Sequence, residues 1–295
     1  MLSSQIATSL RGWPLEFTEY PLSYREYVNF KGIEANEFSE EGRSKLYSAF
    51  KKYLFESSFP EVVLLKEQSM KIRRVQGYFN TMLLRDLAEM NSISSIDTLR
   101  YFLKRIMLNL TKPTSINKIY NEIKSQGKKT DKNRLYEYAD LACNIFLFFK
   151  VHRWSKSIIE ENNNSPKYYV IDNGMRNAVI MPQSDDIGKL LENAVLLQLK
   201  RILKPECKIY YFNEGVECDF VIQEESNVKR LIQVSWDISD DETLKRELRG
   251  LKVASEISGC KECYLITSDI SEIMEYQDIR VHIIPAWRWF YNGSF

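Results

Sequence analysis

The last third of the chain alternates long amphipathic segments with short apolar runs, and this order restricts the fold more than any other feature of the sequence. Helical periodicity predicts helices over 187–203 and 241–258. Apolar runs of strand length lie between and after them, at 208–212, 218–222, 230–236, 263–267 and 280–284. The resulting order, αβββαβ, predicts an α+β or α/β domain built around one sheet.

The second and third of these strands are separated by a short polar segment and predict a β-hairpin. Asp219 and Gln233 each lie seven residues from Ser226, near the centre of the predicted turn, so they face each other across the pair. Alternation puts Ser235 on the same face, and a helix carrying Glu192 is expected to close over it. Because Mg²⁺ prefers oxygen ligands, this set predicts a metal site able to activate water against a phosphodiester.

The αβββαβ order and these polar positions resemble the PD-(D/E)xK nuclease fold, in which a helical Glu, a hairpin Asp and an (E/Q)xK strand form the site. The resemblance implies catalytic and metal-binding roles for Glu192, Asp219 and Gln233. Ser235 holds the position of the family's lysine and brings no positive charge. Lys229 and Lys245 are the alternatives for supplying it, and Lys245 is included among the predicted catalytic residues. Cleavage by a Mg²⁺-dependent nuclease and a retired nuclease core used for binding or assembly both remain open.

Residues 97–180 predict three helices followed by two strands, which is the order of a winged helix-turn-helix. Between Asp97 and Arg134 there are ten basic and three acidic residues, a net charge of +7 in a chain whose net charge is +1. The basic residues cluster before and at the start of the third predicted helix, where a recognition helix contacts phosphates and base edges. The residues predicted to bind DNA are Lys118, Lys128, Lys129, Lys132 and Arg134. A basic face used for protein contacts is the alternative.

The first 96 residues are less regular. A predicted strand at 15–20 precedes a short helix over 24–30, with Ser23 as its N-cap, and it has no obvious partner strand. Two longer helices follow, one after Ser39 and one over 71–90, separated by a break that contains a proline.

Short motifs along the whole chain resemble the C-terminal portion of prokaryotic AAA-type P-loop ATPases that end in an uncharacterised nuclease-like domain. They are IATSLRG at 6–12, PLSYRE at 21–26, SFPEVV at 58–63, YFNTMLLRD at 78–86, YYVIDNG at 168–174 and LEN at 191–193. The ATPase core of that family would precede residue 1, and Arg11 matches an arginine near the end of that core. The sequence contains no G-x-x-x-x-G-K-[ST] loop. The resemblance therefore implies a truncated or split chain that cannot hydrolyse ATP alone and uses ATP only together with that core.

These resemblances divide the chain into a remnant of the ATPase core (1–35), a helical connector (36–96), a winged helix (97–180) and a PD-(D/E)xK nuclease-like domain (181–295). The expected function is that of a DNA-associated module of an AAA-type ATP-binding protein with a degenerate nuclease-like domain. DNA is the expected partner, with an ATPase core or a second copy of the chain as further partners, and Mg²⁺ is the expected cofactor. The alternative is a non-catalytic protein-interaction module of a regulatory ATPase assembly.

The composition argues against a membrane protein or a disulfide scaffold. Hydrophobic residues make up 44% and charged residues 27% of the chain, an ordinary globular mixture. No apolar run approaches the roughly 18 residues that a bilayer span requires. Five cysteines at irregular spacing and an N-terminus without a signal-peptide pattern favour a reducing, cytoplasmic environment.

Overall fold

The computed structural model describes residues 18–128, 130–156, 164–181, 186–293 and 295. Residues 15–17 of the predicted strand at 15–20 lie outside the described residues, and the described half, 18–20, has no regular structure. Arg11 and Lys129 lie outside them as well.

Two capped helices begin the described part of the chain, as the sequence predicts. Helix α1 (Tyr24–Phe30) starts with a capping box, in which the Ser23 side chain accepts from Glu26 N–H and the Glu26 carboxylate accepts from Ser23 N–H. Helix α2 (Glu40–Phe55) follows the N-cap residue Ser39, whose hydroxyl oxygen accepts a hydrogen bond from the backbone N–H of Gly42. These local bonds fix where both helices begin.

The predicted helix at 71–90 is longer than expected and mixed in geometry. Helix α3 (Pro60–Val63), a single turn, occupies the predicted break, with proline at a position whose N–H would have no helical partner. Helix α4 (Gln68–Thr81) follows and continues as a π-helical segment, Met82–Glu89. Its inward face carries Val75, Phe79, Met82, Leu83 and Leu87.

The next five elements have the predicted order of three helices and two strands. They are α5 (Ile96–Leu108), α6 (Ile116–Ser125), α7 (Lys132–Asn144), β1 (Phe148–Arg153) and β2 (Lys167–Val170). Ser115 and Asp131 cap α6 and α7 through their side chains. Helix α5 begins at Ile96 after the N-cap residue Ser95, so Asp97 lies in its first turn. The order of elements is confirmed, and the assignment to a winged helix stays a prediction.

The C-terminal half contains the predicted αβββαβ series, with additional elements before and after it. Its elements are α8 (Asn173–Val179), α9 (Ile187–Ile202), β3 (Cys207–Asn213), β4 (Glu217–Glu224), β5 (Asn227–Val234), α10 (Asp241–Ser258), β6 (Cys263–Thr267), β7 (Glu272–Tyr276), β8 (Ile279–Pro285) and α11 (Ala286–Asn292). The series runs from α9 to β6. Elements α8, β7 and α11 were not predicted.

The eight strands formed by the described residues belong to one mixed sheet, in the order β2-β1-β3-β4-β5-β6-β8-β7. β1 pairs with β3 in parallel through His152 and Arg153, which lie opposite Tyr210 and Tyr211. β5, β6 and β8 are also parallel, and the remaining pairs are antiparallel. The sheet therefore runs from the three-helix unit into the C-terminal half. The mixed α/β class is confirmed, whereas the boundary at residue 180 and the PD-(D/E)xK arrangement stay predictions.

Two apolar clusters fill the interior. The larger one packs the N-terminal helices and α9 against β2 and β4, and the smaller one packs α10 against β4, β5, β6 and β8. Val221 and Leu231, in the smaller cluster, share their strand face with Asp219 and Gln233. Helix α10 thus packs over the polar face that we expected α9 to cover, and α9 packs into the larger core.

Candidate functional site

The β4–β5 hairpin brings Asp219 and Gln233 next to each other. Phe220 pairs with Ile232, so the next pair along the two strands is Asp219 and Gln233. The backbone N–H of Asp219 donates to Gln233 Oε1 over 3.1 Å, and the N–H of Val234 donates to Asp219 Oδ2 over 3.0 Å. Both side chains are buried. The hairpin thus holds an acid and an amide side by side, each with its orientation fixed by the backbone.

Helix α9 supplies Glu192, and the neighbouring Asn193 fixes the helix against β2. The Asn193 amide accepts from Val170 N–H over 2.8 Å and donates to Val170 O over 3.0 Å, replacing a strand partner. Glu192 Oε1 accepts from the hydroxyl of Tyr169, on the same strand, over 2.7 Å. The carboxylate therefore points toward β2 rather than away from the sheet.

Lys167, the first residue of β2, lies between three carboxylates. Its side chain is only 1% exposed, and Nζ lies 2.9 Å from Glu192 Oε1, 2.6 Å from Glu217 Oε1 and 3.1 Å from Asp219 Oδ1. Lys167, Glu192, Glu217 and Asp219 are named the Lys167 cluster. The two acids that the sequence predicts to converge do so around this ammonium group.

Helix α10 adds a second ion pair beside the Lys167 cluster. Gln233 Nε2 donates to the buried Glu247 carboxylate, whose other oxygen accepts from Arg246 Nη2 over 2.5 Å. Gly250 lets the helix come this close, because a Cβ there would lie 2.1 Å from the carbonyl oxygen of Glu217. The amide of Gln233 is consequently engaged on both sides by protein groups.

Burial and opposite charges act against each other within the Lys167 cluster. Burial alone would lower the pKa of Lys167, but the negative charges of Glu192, Asp219 and Glu217 outweigh it and hold that pKa well above its ordinary value. Burial, followed by the charge of Glu192, raises the pKa of Asp219 well above its ordinary value. Burial likewise raises the pKa of Glu192, against the attraction of Lys167. The lysine therefore stays charged, and proton uptake by the acids is favoured.

A cleft of about 850 Å³ opens beside the cluster. Glu192, Glu217, Asp219 and Gln233 are among the residues that line it. The basic residues that line it are Lys112, Lys189, Lys245, Arg246 and Arg249. The lining of the cleft thus combines acidic and basic side chains.

The two lysines considered as substitutes for the missing cation are placed differently. Lys245 lines the cleft from α10. Lys229 lies beside the β4–β5 turn, 3.8 Å from Glu224, and is not part of the cleft lining. Ser235, at the predicted lysine position, donates to the backbone oxygen of Asp237 and is not part of the lining either. The charge nearest to the predicted acids is that of Lys167, which the sequence did not reveal.

The predicted metal ligands do not fit a Mg²⁺ ion while Lys167 lies among them. Among the described residues, no three His, Cys, Asp or Glu side chains are arranged to hold a metal ion. The oxygens of Glu192 and Asp219 that point inward are bonded to Lys167, and Gln233 Oε1 accepts from a backbone N–H. Mg²⁺ requires near-octahedral oxygen ligands at about 2.1 Å.

The predicted DNA-binding residues lie apart from this cleft, on the exposed side of α6 and α7. Lys118, Lys128, Lys132 and Arg134 are exposed, and Lys128 and Lys132 lie over the rings of Tyr101 and Tyr136 at 5.3 and 6.0 Å. The fifth predicted residue, Lys129, is outside the described part of the chain.

Lys167, Glu247 and Arg246 are the site residues that sequence reasoning missed. Glu217 lies two positions before Asp219 on the same strand, and the sequence analysis gave it no role. Lys167 precedes Glu192 by 25 positions, in a segment predicted to belong to a different domain, and only the fold brings them together.

Comparisons with known proteins give relatives without an assigned function. A family model described as a domain of unknown function (DUF8612) matches residues 47–186, which include Lys167 and end before α9. An uncharacterised protein of Methanocaldococcus jannaschii is 28% identical over 98% of this chain and 66% of its own length. An uncharacterised protein of Haemophilus influenzae is 27% identical over 97% of this chain and 68% of its own length. The chain spans about two thirds of the length of these relatives.

One solved structure is similar at a low score. It is a refined half-complex from a tetradecameric assembly of Thermococcus gammatolerans McrB AAA+ hexamers with bound McrC. The similarity covers 68% of this chain and 77% of that chain, with 11% sequence identity and a TM-score of 0.27. At that score the similarity supports no conclusion about fold or partners. No helix among the described residues is long and apolar enough to cross a bilayer.

Proposed function

We propose that this chain is a DNA-binding module of an AAA-type ATPase assembly, with a nuclease-like C-terminal half that is degenerate. The observation that carries the proposal is the exposed basic surface at the start of α7. The ATPase part of the proposal rests on the motifs that resemble that family, and ATP hydrolysis would require the ATPase core of that family.

The basic surface is defined by Lys118, Lys128, Lys132 and Arg134. None of these four forms a salt bridge with a residue that the structure describes, whereas Arg105, in the same three-helix unit, is held by Glu122 through two bonds of 2.7 and 2.9 Å. Unpaired cations on a surface retain their charge for an external anion. A phosphate backbone is the anion that such a surface suits best.

The position of these residues also fits contact with a duplex. Lys132 and Arg134 lie in the first turn of α7, and Asp131 caps that turn by accepting from Asn133 N–H over 2.6 Å. A capped, exposed helix start projects its first side chains away from the body of the protein. In helix-turn-helix proteins, the N-terminal residues of the recognition helix contact base edges.

The proposal is tested by the binding of a fluorescent DNA duplex to the full chain, measured by anisotropy over a series of salt concentrations. The variant carries Lys118→Ala, Lys128→Ala, Lys132→Ala and Arg134→Ala together. Each lost phosphate contact should reduce the slope of log K against log salt by about 0.9, with a corresponding loss of affinity. Lys66→Ala removes an exposed lysine outside the three-helix unit and should bind as the wild type does.

Two other results would change the assignment. Wild-type binding that is absent, or that does not depend on salt, would refute the DNA-binding role and favour the alternative of a protein-interaction module. Mg²⁺-dependent cleavage of the duplex by the wild type, lost in Asp219→Ala, would show that the nuclease-like half is active rather than degenerate.

A further inference from the structure

We propose that Lys167 is the built-in cation of the Lys167 cluster: its ammonium group takes the place predicted for Mg²⁺, so that the native chain binds no divalent ion there. This goes beyond the DNA-binding role and does not depend on it. It assigns a function to a buried residue of β2 that no sequence motif marks.

The first argument is the match between donors and acceptors. A lysine ammonium group has three N–H donors and accepts nothing. Nζ of Lys167 has three carboxylate oxygens within 3.1 Å, one each from Glu192, Glu217 and Asp219. Every donor therefore has a carboxyl oxygen as its acceptor, and the geometry is that of a filled cation site rather than a chance surface contact.

The second argument is that the surrounding oxygens are already used. Glu192 Oε1 also accepts from the hydroxyl of Tyr169 over 2.7 Å, and Asp219 Oδ2 accepts from the N–H of Val234 over 3.0 Å. Gln233 Oε1 accepts from the backbone N–H of Asp219. A divalent ion would have to displace these donors and would share its ligands with a buried positive charge.

The third argument concerns access. Lys167 is fully buried, with a residue exposure of 0%, so its ammonium group does not reach a ligand lying in the cleft. It therefore acts on the acids from within the protein and is a positioning residue rather than a catalytic one. Because Lys167 belongs to β2, its ion pairs also connect β2 to the acids of α9 and β4.

Removing the ammonium group should turn the cluster into a divalent-ion site. In Lys167→Met, three carboxylates of the kind that hard cations prefer are left without a counter-ion. The variant should unfold at a lower temperature than the wild type, and Mn²⁺ or Mg²⁺ should restore part of the loss. Isothermal titration calorimetry should detect stoichiometric Mn²⁺ binding by this variant and none by the wild type at the same ion concentrations.

Three controls separate metal binding from general effects of charge. Lys189→Met removes another lysine of the cleft, one that pairs with Asp186 at 2.7 Å, and should create no Mn²⁺ site. The double variant Lys167→Met, Asp219→Asn should lose the Mn²⁺ binding that the single variant gains. Sodium chloride at matched ionic strength should not reproduce the thermal rescue.

The decisive measurement on the wild type needs no variant that risks misfolding. Stoichiometric Mn²⁺ binding by the wild type that Asp219→Asn abolishes would overturn the proposal, whether or not Lys167→Met folds. A folded Lys167→Met that gains no Mn²⁺ affinity would overturn it equally. Absence of Mn²⁺ binding by the wild-type protein would support the proposal. These outcomes are independent of the DNA-binding measurement.

Discussion

Gly250 lies where α10 comes closest to β4, and we expect Gly250→Ala to destabilise the protein. A Cβ at this position would lie 2.1 Å from the carbonyl oxygen of Glu217 and 3.2 Å from its carbonyl carbon. Both are backbone atoms, so no side-chain rotation relieves the contact. Either the helix or the strand must shift, and α10 also carries Glu247, which bonds to Gln233.

The size of the effect follows from two opposing terms. Alanine is favoured over glycine inside a helix by about 1 kcal/mol. Insertion of a methyl group into a packed interior costs typically about 1–3 kcal/mol, and a clash with backbone falls toward the upper end. The net expectation is a loss of about 1–2 kcal/mol in the free energy of unfolding.

The assay is urea denaturation followed by far-UV circular dichroism, with Gly77→Ala as the matched control. Gly77 is exposed within α4, and a Cβ there would meet nothing within 4 Å. The control should therefore gain up to about 1 kcal/mol, so the two substitutions should have opposite signs. Equal or greater stability of Gly250→Ala relative to the wild type, at an unchanged m value, would show that α10 and β4 are not in close contact.

Three further outcomes follow from the buried charges. Because burial raises the pKa of Asp219, the native state holds the carboxyl proton to higher pH than the unfolded chain does. The free energy of unfolding should therefore fall as the pH rises above about 4. The variant Asp219→Asn should show a smaller pH dependence in urea titrations at several pH values. Because its pKa is raised, charged Lys167 contributes its full stabilisation to the native state below about pH 10.5 and loses it at higher pH. The loss of stability at alkaline pH should therefore be smaller in Lys167→Met. Arg176→Met removes the partner that lies 2.8 Å from buried Asp186 and should cost about 3–5 kcal/mol in the same assay, whereas a cost below about 1 kcal/mol would show that Lys189 compensates.

Local features of the fold were predictable because their causes are local. Ser23, Ser115 and Asp131 each bond to an N–H within three residues, so the helix starts can be identified in the sequence itself. Asp219 and Gln233 face each other as predicted, but the turn between their strands lies at a different position from the predicted one. The turn consists of Glu225 and Ser226 rather than centring one residue later, and a bulge after Ile222 restores the register that we expected.

The remaining features depend on contacts that sequence patterns do not carry. Lys167 meets Asp219 across 52 positions of the chain, and its strand reads as apolar apart from this one residue. β7 is an exposed edge strand with only weak alternation, so it has no continuous apolar face to mark it. The choice of α10 rather than α9 to cover Asp219 and Gln233 is decided by how the two cores divide, which is a property of the whole sheet.

The pairing of β1 on both of its edges has a structural consequence. β1 is hydrogen-bonded to β2 on one edge and to β3 on the other, so the three-helix unit and the cleft lie on the same continuous sheet. The connection between the three helices and the cleft therefore runs through paired strands rather than through a separate linker.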